Sequence, residues 1–594
     1  MGLAKTSGVE GEAPFESRKA VAQAIPTYMM SCFKLPVAIC EAINKMVSNF
    51  WWGQQGSERK IHWLKWGRLC KGKGYGGVGF REMEAFNLAL LAKQGWRLMH
   101  GANSLFYKVY KVKYFPYESF MEAKLGSCLS FTWRSTMTTR PVLEAGSRWR
   151  IGCGETVQVW GSRWLPNPST FKVVSPCVAS LENMLVSDLI DSSGMRWKKE
   201  LISSLLLPID VADICKIPLS IHAAPDCVVW HFSKHGVFSV RSAYPVAVDI
   251  LKKRNSFEES ECSNREIMDK LWKTLWSLSI PNKIKIFLWR AIVDILPTGT
   301  KLAQRHIPVD FRCKLCGDQA ETPVHLFTQC AWVRIVWENF VFHLPKDKCF
   351  LDFCQLFEFL CSSLDMAEVE VCCIMLWLVW GHRNAIVHSG RGRFPVGVFS
   401  DALQYLKEFQ DAQHKMGVVP LRPVGVGSAS WMPPVDGVYK LNIDGSWLPG
   451  ENTGGVGGVI RDWKGEVIGG FAKPLIQCVS ADHAKAMAIL HGILFARDIG
   501  IQKLVVEGDC LGVISAIRCA SKDLSDLGHI LDDIKDCLAC FCSWEVAHVR
   551  RSANGVAHAL AGFGRSGSSD KLRLEELPSC FQEALNFDYS SVGA

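Results

Sequence analysis

The sequence predicts a multi-domain protein with an α/β domain near its C-terminus, a mainly α domain before it and an α-rich basic N-terminal region. Three observations support this fold class. The 594 residues are enough for about three to five domains. Strand and helix patterns alternate between 436 and 565. Cysteine and histidine residues cluster between 313 and 330.

The composition is that of an ordinary globular protein. Hydrophobic residues make up 48% and charged residues 21%, which excludes collagen-like, coiled-coil and wholly disordered chains. The net charge is +9, but residues 1–160 carry +11 and residues 436–565 carry −2. The basic end indicates either a surface for a polyanion or a solubilising face, and charge alone leaves both open.

Residues 1–125 form the predicted basic region, where helical patterns alternate with basic and aromatic clusters such as FWWGQQGSERKIHWLKW. The segment FNLALLAKQGWRLM has the apolar spacing of a helix. Gly72, Gly74 and Gly77 match GxGxxG formally. Because no apolar strand precedes them and no helix opens from them, a Gly-rich turn is predicted instead of a dinucleotide site.

The 24 cysteines are not expected to form a disulfide framework. The opening MGLAKTSGVEGEAPFESRK is polar and lacks the apolar segment of a secretory signal. No apolar run is long enough to span a bilayer, and VCCIMLWLVWG at 371–381 predicts a buried helix. The protein is therefore expected inside the cell, in the nucleus or the cytoplasm, with no membrane partner.

Residues 126–235 are predicted to connect the basic region to the next domain, and RWRIGCGETVQVW in this segment alternates like a strand hairpin. Residues 236–345 form the next predicted domain. Its helix NKIKIFLWRAIVDIL has one apolar face, and Lys283, Lys285 and Arg290 lie off that face. These three cations are candidate nucleic-acid contacts.

A cysteine–histidine cluster follows this helix. Cys313, Cys316, His325 and Cys330 have the spacing C-x2-C-x8-H-x4-C. Zinc takes four such ligands in a tetrahedron, and a CxxC turn presents two thiolates to one ion. Four protein ligands close the coordination shell, so the predicted Zn2+ is structural and helps a small domain to fold. The alternative, ordinary core cysteines in a cysteine-rich chain, stays open.

Residues 346–430 are predicted as helices followed by a linker rich in Pro, Gly, Val and Ser. Residues 431–566 predict one α/β domain, and residues 567–594 a tail. In the strand YKLNIDGS, Asp444 lies on the polar side. The strands GGVGGVIRD and EVIGGFA and the helix ADHAKAMAILHGILFARDIG follow, before the strand KLVVEGD ends at Asp509.

The predicted α/β domain closes with the strand WEVAHVRR and the helix NGVAHALAGFG, for which Asn554 is the candidate N-cap. This order of elements places Asp444 and Asp509 at one end of a central sheet. Carboxylates gathered there can hold two Mg2+ ions for phosphodiester cleavage. By themselves two aspartates are a weak signal, since Asp at a strand end is more often a turn residue.

Together these motifs resemble a known family. KLNIDGSW, GGVGGVIRDWKGEVIGGF, KLVVEGD and HVRRSANGVAHALA resemble the ribonuclease H-like domain at the C-terminus of plant LINE-type (non-LTR) retrotransposon proteins. SVRSAY, IPNKIKIFLWRAI and the Cys313–Cys330 cluster resemble the reverse-transcriptase zinc-binding domain that precedes it there. AVAQAIPTYMMSCFKLP, NFWWGQ and AFNLALLAKQGWRL resemble the region after the polymerase core. Since the sequence has no Tyr/Phe-x-Asp-Asp motif, polymerase chemistry is not expected.

The resemblance implies a mixed five-stranded sheet with helices and four metal-binding positions. Asp444 matches the first position and Asp509 the third, whereas Lys485 stands at the second and His558 at the fourth. Mg2+ or Mn2+ is the implied cofactor if the site is active. A protonated lysine cannot coordinate Mg2+. Lys485 is therefore expected to pair with both aspartates, and Asp482, one turn earlier, is a candidate substitute ligand.

Three functions stay open from the sequence. The resemblance implies a ribonuclease that cuts RNA–DNA hybrids through two metal ions, with impaired activity. The second function is a catalytically silent protein that binds RNA, DNA or their hybrid, with Arg551 near the cleft as a candidate contact. The third reading is a retrotransposon relic with no molecular function.

Overall fold

A computed structural model of the chain describes residues 23–54, 60–126, 130–167, 169–191, 196–222, 224–254, 265–340, 342, 344–345, 348–390, 394–416, 430–450, 453–476, 478–567 and 571–574. The chain divides into two compact units. The first, called the helical unit, comprises Met1–Leu91, Ser127–Thr136 and Ala247–Pro420. The second, called the sheet unit, comprises Ala92–Gly126, Met137–Val246 and Leu421–Ala594. Among the helices described, none is both long and apolar enough to cross a membrane.

The described α-helices are, in chain order, α1 (Thr27–Cys32), α2 (Val37–Trp51), α3 (Trp66–Cys70), α4 (Met83–His100), α5 (Leu105–Tyr114), α6 (Phe131–Met137), α7 (Arg140–Gly146), α8 (Lys199–Leu205), α9 (Pro208–Ile214), α10 (Val240–Arg254), α11 (Arg265–Ser277), α12 (Asn282–Ile292), α13 (Gly299–Gln304), α14 (Ala331–Glu338), α15 (Phe353–Ser363), α16 (Met366–Ser389), α17 (Val398–Met416), α18 (Ala481–Asp498), α19 (Leu511–Arg518), α20 (Gly528–Leu538) and α21 (Gly555–Ser566).

The described strands are β1 (Ser147–Arg150), β2 (Ile190–Asp191), β3 (Arg196–Trp197), β4 (Cys227–Trp230), β5 (Tyr439–Leu448), β6 (Thr453–Arg461), β7 (Val467–Ile476), β8 (Lys503–Gly508), β9 (Ser543–His548) and β10 (Lys571–Leu574).

One hydrophobic core runs through the helical unit, from Val47 to Leu406, and helices α12 and α16 supply much of it. The predicted buried helix at 371–381 is confirmed as the middle of α16. A capping box between Asp365 and Glu368 starts this helix, and Gly390 in the left-handed region ends it. The predicted mainly α character of this part of the chain is confirmed as well.

A mixed sheet forms the centre of the sheet unit, in the order β10-β7-β6-β5-β8-β9. β5, β6 and β7 are antiparallel, whereas β5, β8 and β9 are parallel. This confirms the predicted five-stranded mixed sheet with helices. β10 lies in the predicted tail and adds a sixth short strand at the edge, beside β7.

The predicted hairpin within RWRIGCGETVQVW is wrong. β1 pairs instead with β4, which lies nearly eighty positions later in the sequence. The reason is a carboxylate just before β4, because Asp226 accepts the backbone N–H groups of Gly152 at 2.7 Å and Gly154 at 3.0 Å. Alternation along a segment predicts a strand but not which partner it pairs with.

Residues 137–246, which include most of the predicted connecting segment, belong to the sheet unit. They pack against helix α20 and the loop that precedes it. Arg150 donates from Nη1 to the carbonyl oxygens of Asp523 and Ser525, at 2.9 and 2.8 Å. Ser220 donates its hydroxyl to the buried carboxylate of Asp533 at 2.8 Å. Buried polar groups need such partners, so this segment is part of the structure of the sheet unit.

Candidate functional site

Four metal-ligand side chains meet in the helical unit. The ligand atoms of Cys313, Cys316, His325 and Cys330 all lie within 4.8 Å of one another. The sulfur atoms of Cys313 and Cys330 are 3.8 Å apart, and the sulfur of Cys316 lies 3.4 Å from Nε2 of His325. The structure thus brings together all four residues predicted from the spacing.

Two local turns produce this arrangement. After Cys313, a tight turn closes with the N–H of Gly317 on the Cys313 carbonyl at 2.7 Å, and Gly317 has φ +76°. The second turn is a π-helix over His325–Gln329, in which the N–H of Cys330 reaches the carbonyl of His325 at 2.8 Å. This wide turn brings two residues five apart onto one side, as the H-x4-C spacing requires.

The cluster fits a tetrahedral Zn2+ ion. With Zn–S bonds of about 2.3 Å, two thiolates of a tetrahedron are separated by about 3.8 Å, which is the separation of Cys313 and Cys330. Nδ1 of His325 lies 2.8 Å from Oε1 of Gln319, which leaves Nε2 to face the cluster. Sequence reasoning missed Gln319, because an outer-shell amide has no fixed spacing.

Backbone amides assist the thiolates of the cluster. Burial raises the pKa of Cys316, but the N–H groups of Gln319 and Asp318 outweigh it and lower that pKa. For Cys330, the hydrogen bond from the Cys313 thiol lowers the pKa. The same thiol contact raises the pKa of Cys313. Zinc binds the thiolate form, so the backbone amides favour the metal-binding state of Cys316.

A second centre lies in the sheet unit, where β8 ends beside the middle of β5. Asp444, on β5, is buried, and Asp509 follows β8. Nζ of Lys485, on helix α18, is 2.5 Å from Oδ1 of Asp509 and 3.5 Å from Oδ1 of Asp444. The ion pairs expected of Lys485 are therefore present.

His558, on α21, completes this centre. Its Nδ1 lies 2.7 Å from Oδ2 of Asp444, and its Nε2 lies 2.8 Å from Nη2 of Arg551. Because the Arg551 guanidinium can only donate, Nε2 accepts and Nδ1 carries the proton that goes to Asp444. Sequence reasoning placed Arg551 near the cleft but missed its contact with His558.

Glycines let both helices approach the sheet closely enough to deliver these side chains. A Cβ on Gly445 would lie 2.3 Å from the backbone carbon of Ala484, on α18 beside Lys485. A Cβ on Gly457 would lie 2.2 Å from the backbone nitrogen of Ala561, on α21. Only glycine tolerates such close backbone approach.

The two aspartates stabilise the protonated form of Lys485. Burial alone lowers its pKa, but the hydrogen bond to Asp509 and the charges of Asp444 and Asp509 outweigh burial and raise the pKa. The side chain is 20% exposed. Lys485 is therefore a permanent ammonium between the two carboxylates at any physiological pH.

The residues at this centre do not fit Mg2+. Mg2+ requires octahedral oxygen ligands at about 2.0–2.1 Å, and an ammonium group occupies the space between the two carboxylates. Asp482 does not compensate among the described contacts, since its carboxylate faces Cys510 at 3.5 Å and Lys234 at 3.7 Å. An imidazole at the remaining position is a ligand for softer metals.

The three predicted cations of helix α12 belong to the helical unit. Nζ of Lys283, which is exposed, lies over the ring of Trp377 at 4.6 Å. Lys285 donates to the carbonyl of Trp276 at 3.1 Å, and burial lowers its pKa. Arg290 is half-buried. Of the three, only Lys283 is exposed.

Asn554 was predicted to cap helix α21, but its side chain has a different role. Asn554 occupies the N-cap position, but its side chain makes no capping hydrogen bond. Its Nδ2 donates instead to the carbonyl of Ile443 at 2.8 Å, next to Asp444. Asn554 thereby ties the start of α21 to β5 and helps to set the position of His558.

Two family models match the chain. The model described as zinc-binding in reverse transcriptase matches residues 238–337, and the model described as reverse transcriptase-like matches residues 442–564. Over 143 residues the chain is 41% identical to the Arabidopsis thaliana protein named Uncharacterized mitochondrial protein AtMg00310, covering 24% of this chain and 93% of that protein. The chain belongs to a family of plant retroelement proteins. The family resemblance drawn from the motifs is thus confirmed.

A second relative spans nearly the whole chain. The Arabidopsis thaliana protein named Putative ribonuclease H protein At1g65750 is 25% identical over 595 residues, which is 96% of this chain and 92% of that protein. Among solved structures, RNase H1 from Halobacterium salinarum is 22% identical, covering 21% of this chain and 96% of that chain with a TM-score of 0.20. LC11-RNase H1 in complex with an RNA/DNA hybrid is 16% identical, covering 22% and 96%, with the same TM-score.

Proposed function

We propose that this protein is a nucleic-acid-binding component of a LINE-type retroelement, and that its ribonuclease H-like centre binds hybrid without cutting it. The single observation that carries the proposal is the position of Lys485, whose ammonium bridges the two carboxylates Asp444 and Asp509. Lys485 takes the place that a divalent cation would need.

Charge explains why the lysine silences hydrolysis. Two like unit charges 4 Å apart repel by about 4 kcal/mol at the effective dielectric constant of a protein surface. A divalent ion carries twice that charge, so its repulsion by Lys485 at the same distance is twice as large. The ion would have to displace an ammonium that is already hydrogen-bonded to Asp509. Without the metal, the centre lacks the ion that activates water in two-metal phosphodiester hydrolysis.

Binding of nucleic acid is supported by other features. Residues 1–160 carry a net charge of +11, with tryptophan and tyrosine residues between the cations. Cations contact phosphates, and aromatic rings stack on bases. A relative that spans most of the chain is named as a ribonuclease H protein, which indicates an RNA–DNA hybrid as the partner.

The proposed role of the Cys313–Cys330 cluster is structural. Four protein ligands leave no open position on a tetrahedral Zn2+ ion, so the metal cannot bind substrate. Close to it, the buried carboxylate of Glu321 pairs with the guanidinium of Arg383, on α16, at 2.5 Å. The zinc cluster thus stabilises the loop that carries Glu321 against the core of the helical unit.

An active hybrid ribonuclease is the second candidate function. It is favoured by the presence of Asp444 and Asp509 at one centre, within reach of the same group. In this case Mg2+ or Mn2+ would have to enter despite Lys485. The two candidates differ in one observable property, which is cleavage by the wild-type protein.

Cleavage of a labelled RNA–DNA hybrid by the full-length chain, in Mg2+ and separately in Mn2+, tests the proposal. We expect no cleavage by wild type and metal-dependent cleavage by Lys485→Glu, because the variant replaces the ammonium with an oxygen ligand. The double variant Lys485→Glu, Asp444→Asn is the matched control and should be inactive. Cleavage by wild type that Asp444→Asn abolishes would show an active nuclease and refute the silent centre.

A further inference from the structure

A short turn in the sheet unit lies outside the ribonuclease H-like domain in sequence but against it in space. This turn, Trp230 to Gly236, is called the 230–236 turn. The N–H of Trp230 reaches the carbonyl of Gly236 at 2.8 Å, and the N–H of Gly236 reaches the carbonyl of Ser233 at 3.0 Å. The backbone of the turn is therefore closed on itself.

The 230–236 turn is also held closely against the domain. Gly236 has φ +65°, and a Cβ there would lie 1.8 Å from the carbonyl oxygen of Leu524. Only glycine allows both the left-handed backbone and this approach. The position of the turn thus depends on backbone contacts and not on the charged side chain at its tip.

That side chain is Lys234, which is 81% exposed. Its Nζ lies 3.7 Å from Oδ2 of Asp482, on the first turn of α18 and one turn before Lys485. Oδ1 of Asp482 accepts from the thiol of Cys510 at 3.5 Å, directly after Asp509. Lys234 therefore stands beside the carboxylate centre, on the side of α18.

Arg551 is a second exposed cation, and it reaches the same centre through His558. It is exposed and contacts His558, which in turn contacts Asp444. Polar neighbours thus run from Lys234 through Asp482 and the Lys485 centre to Arg551, with an exposed cation at each end.

We infer that Lys234 binds a backbone phosphate of the nucleic acid that lies across the ribonuclease H-like centre, with Arg551 as a second cation at this centre. The inference rests on the proposed function, because it assumes that hybrid binds there. An exposed ion pair contributes little to stability, so the pair with Asp482 does not prevent Lys234 from turning to a phosphate. The connecting segment thereby supplies part of the binding surface of another domain.

Salt-dependent binding of an RNA–DNA hybrid to the full-length protein tests this inference. Lys234→Ala should weaken binding several-fold and reduce the slope of log K against log salt by about one, the expected loss of one phosphate contact. Lys172→Ala removes an exposed cation of the same connecting segment and is the matched control, for which neither quantity should change.

The outcomes separate the two proposals. If wild type binds the hybrid and Lys234→Ala binds equally well with the same salt slope, the inference is wrong while the proposed function stands. An equal loss in Lys172→Ala would also overturn it, because the effect would then be one of general charge. If wild type does not bind hybrid at all, the proposed function fails and the inference fails with it.

Discussion

The two clusters of metal-ligand residues in this protein differ in the source of the positive charge at their centre. At the Cys313–Cys330 cluster, the four side chains that face the centre are all possible metal ligands, and the side-chain amide of Gln319 orients His325. At the Asp444–Asp509 centre, Lys485 already supplies the positive charge. A cluster of ligand residues therefore binds a metal ion only if no side chain already neutralises the negative charge of the ligands.

Removal of zinc should cause the largest loss of stability. If it caused none, the Cys313–Cys330 cluster would not differ from the Asp444–Asp509 centre in its need for a metal ion. Structural Zn2+ contributes about 10–16 kcal/mol to folding in zinc-finger peptides. Cys316→Ser should therefore lower the zinc content from one ion per chain to near none and cause a large loss of thermal stability. Cys349→Ser, an exposed cysteine outside the cluster, is the control. Full stability and no bound zinc in wild type would show that these are ordinary core cysteines.

Acid should have a smaller effect on stability, through two buried histidines, one of which lies on the helix that carries Lys485. Burial lowers the pKa of His483, on α18, to about 4 and that of His529 to about 3. Below about pH 6.5 the unfolded chain takes up protons that the folded chain refuses. Stability is therefore complete above that pH and is lost as the pH falls toward 4, by about 2 kcal/mol per histidine at pH 5.

Two carboxyl groups oppose this acid effect in part. Burial raises the pKa of Asp532 and Asp533, so the folded chain binds their protons more readily than the unfolded chain and gains stability as the pH falls. Urea midpoints at pH 7 and pH 5 measure the net change. His483→Gln should reduce the decline, whereas the exposed His235→Gln should leave it unchanged. An equal decline in both variants would contradict the assignment to His483.

Much of the architecture could be predicted because it is local in sequence. The spacing of Cys313, Cys316, His325 and Cys330 fixes one cluster within eighteen residues. Alternating strands and the helix after them predict that Asp444 approaches the later part of the domain. These patterns survive because period and spacing are properties of a short segment.

The features that the sequence did not predict depend on contacts between distant segments. The partner of β1 is set by Asp226, and the position of Lys234 is set by Gly236 against Leu524. Neither has a local signature, since each arises only when two folded surfaces meet. The role of Asn554 was missed for the same reason. Its hydrogen bond to the carbonyl of Ile443 joins a helix to a distant strand, and the local sequence indicates only a helix cap.

Calorimetry of Mn2+ binding to the zinc-loaded full-length chain would decide whether Lys485 replaces the metal between Asp444 and Asp509. We expect wild type and Asp444→Asn to give the same heat, because Lys485 excludes the ion from the centre. Lys485→Glu should gain a binding event that the further change Asp444→Asn removes. Binding of Mn2+ by wild type that Asp444→Asn abolishes would contradict the claim that the lysine replaces the metal.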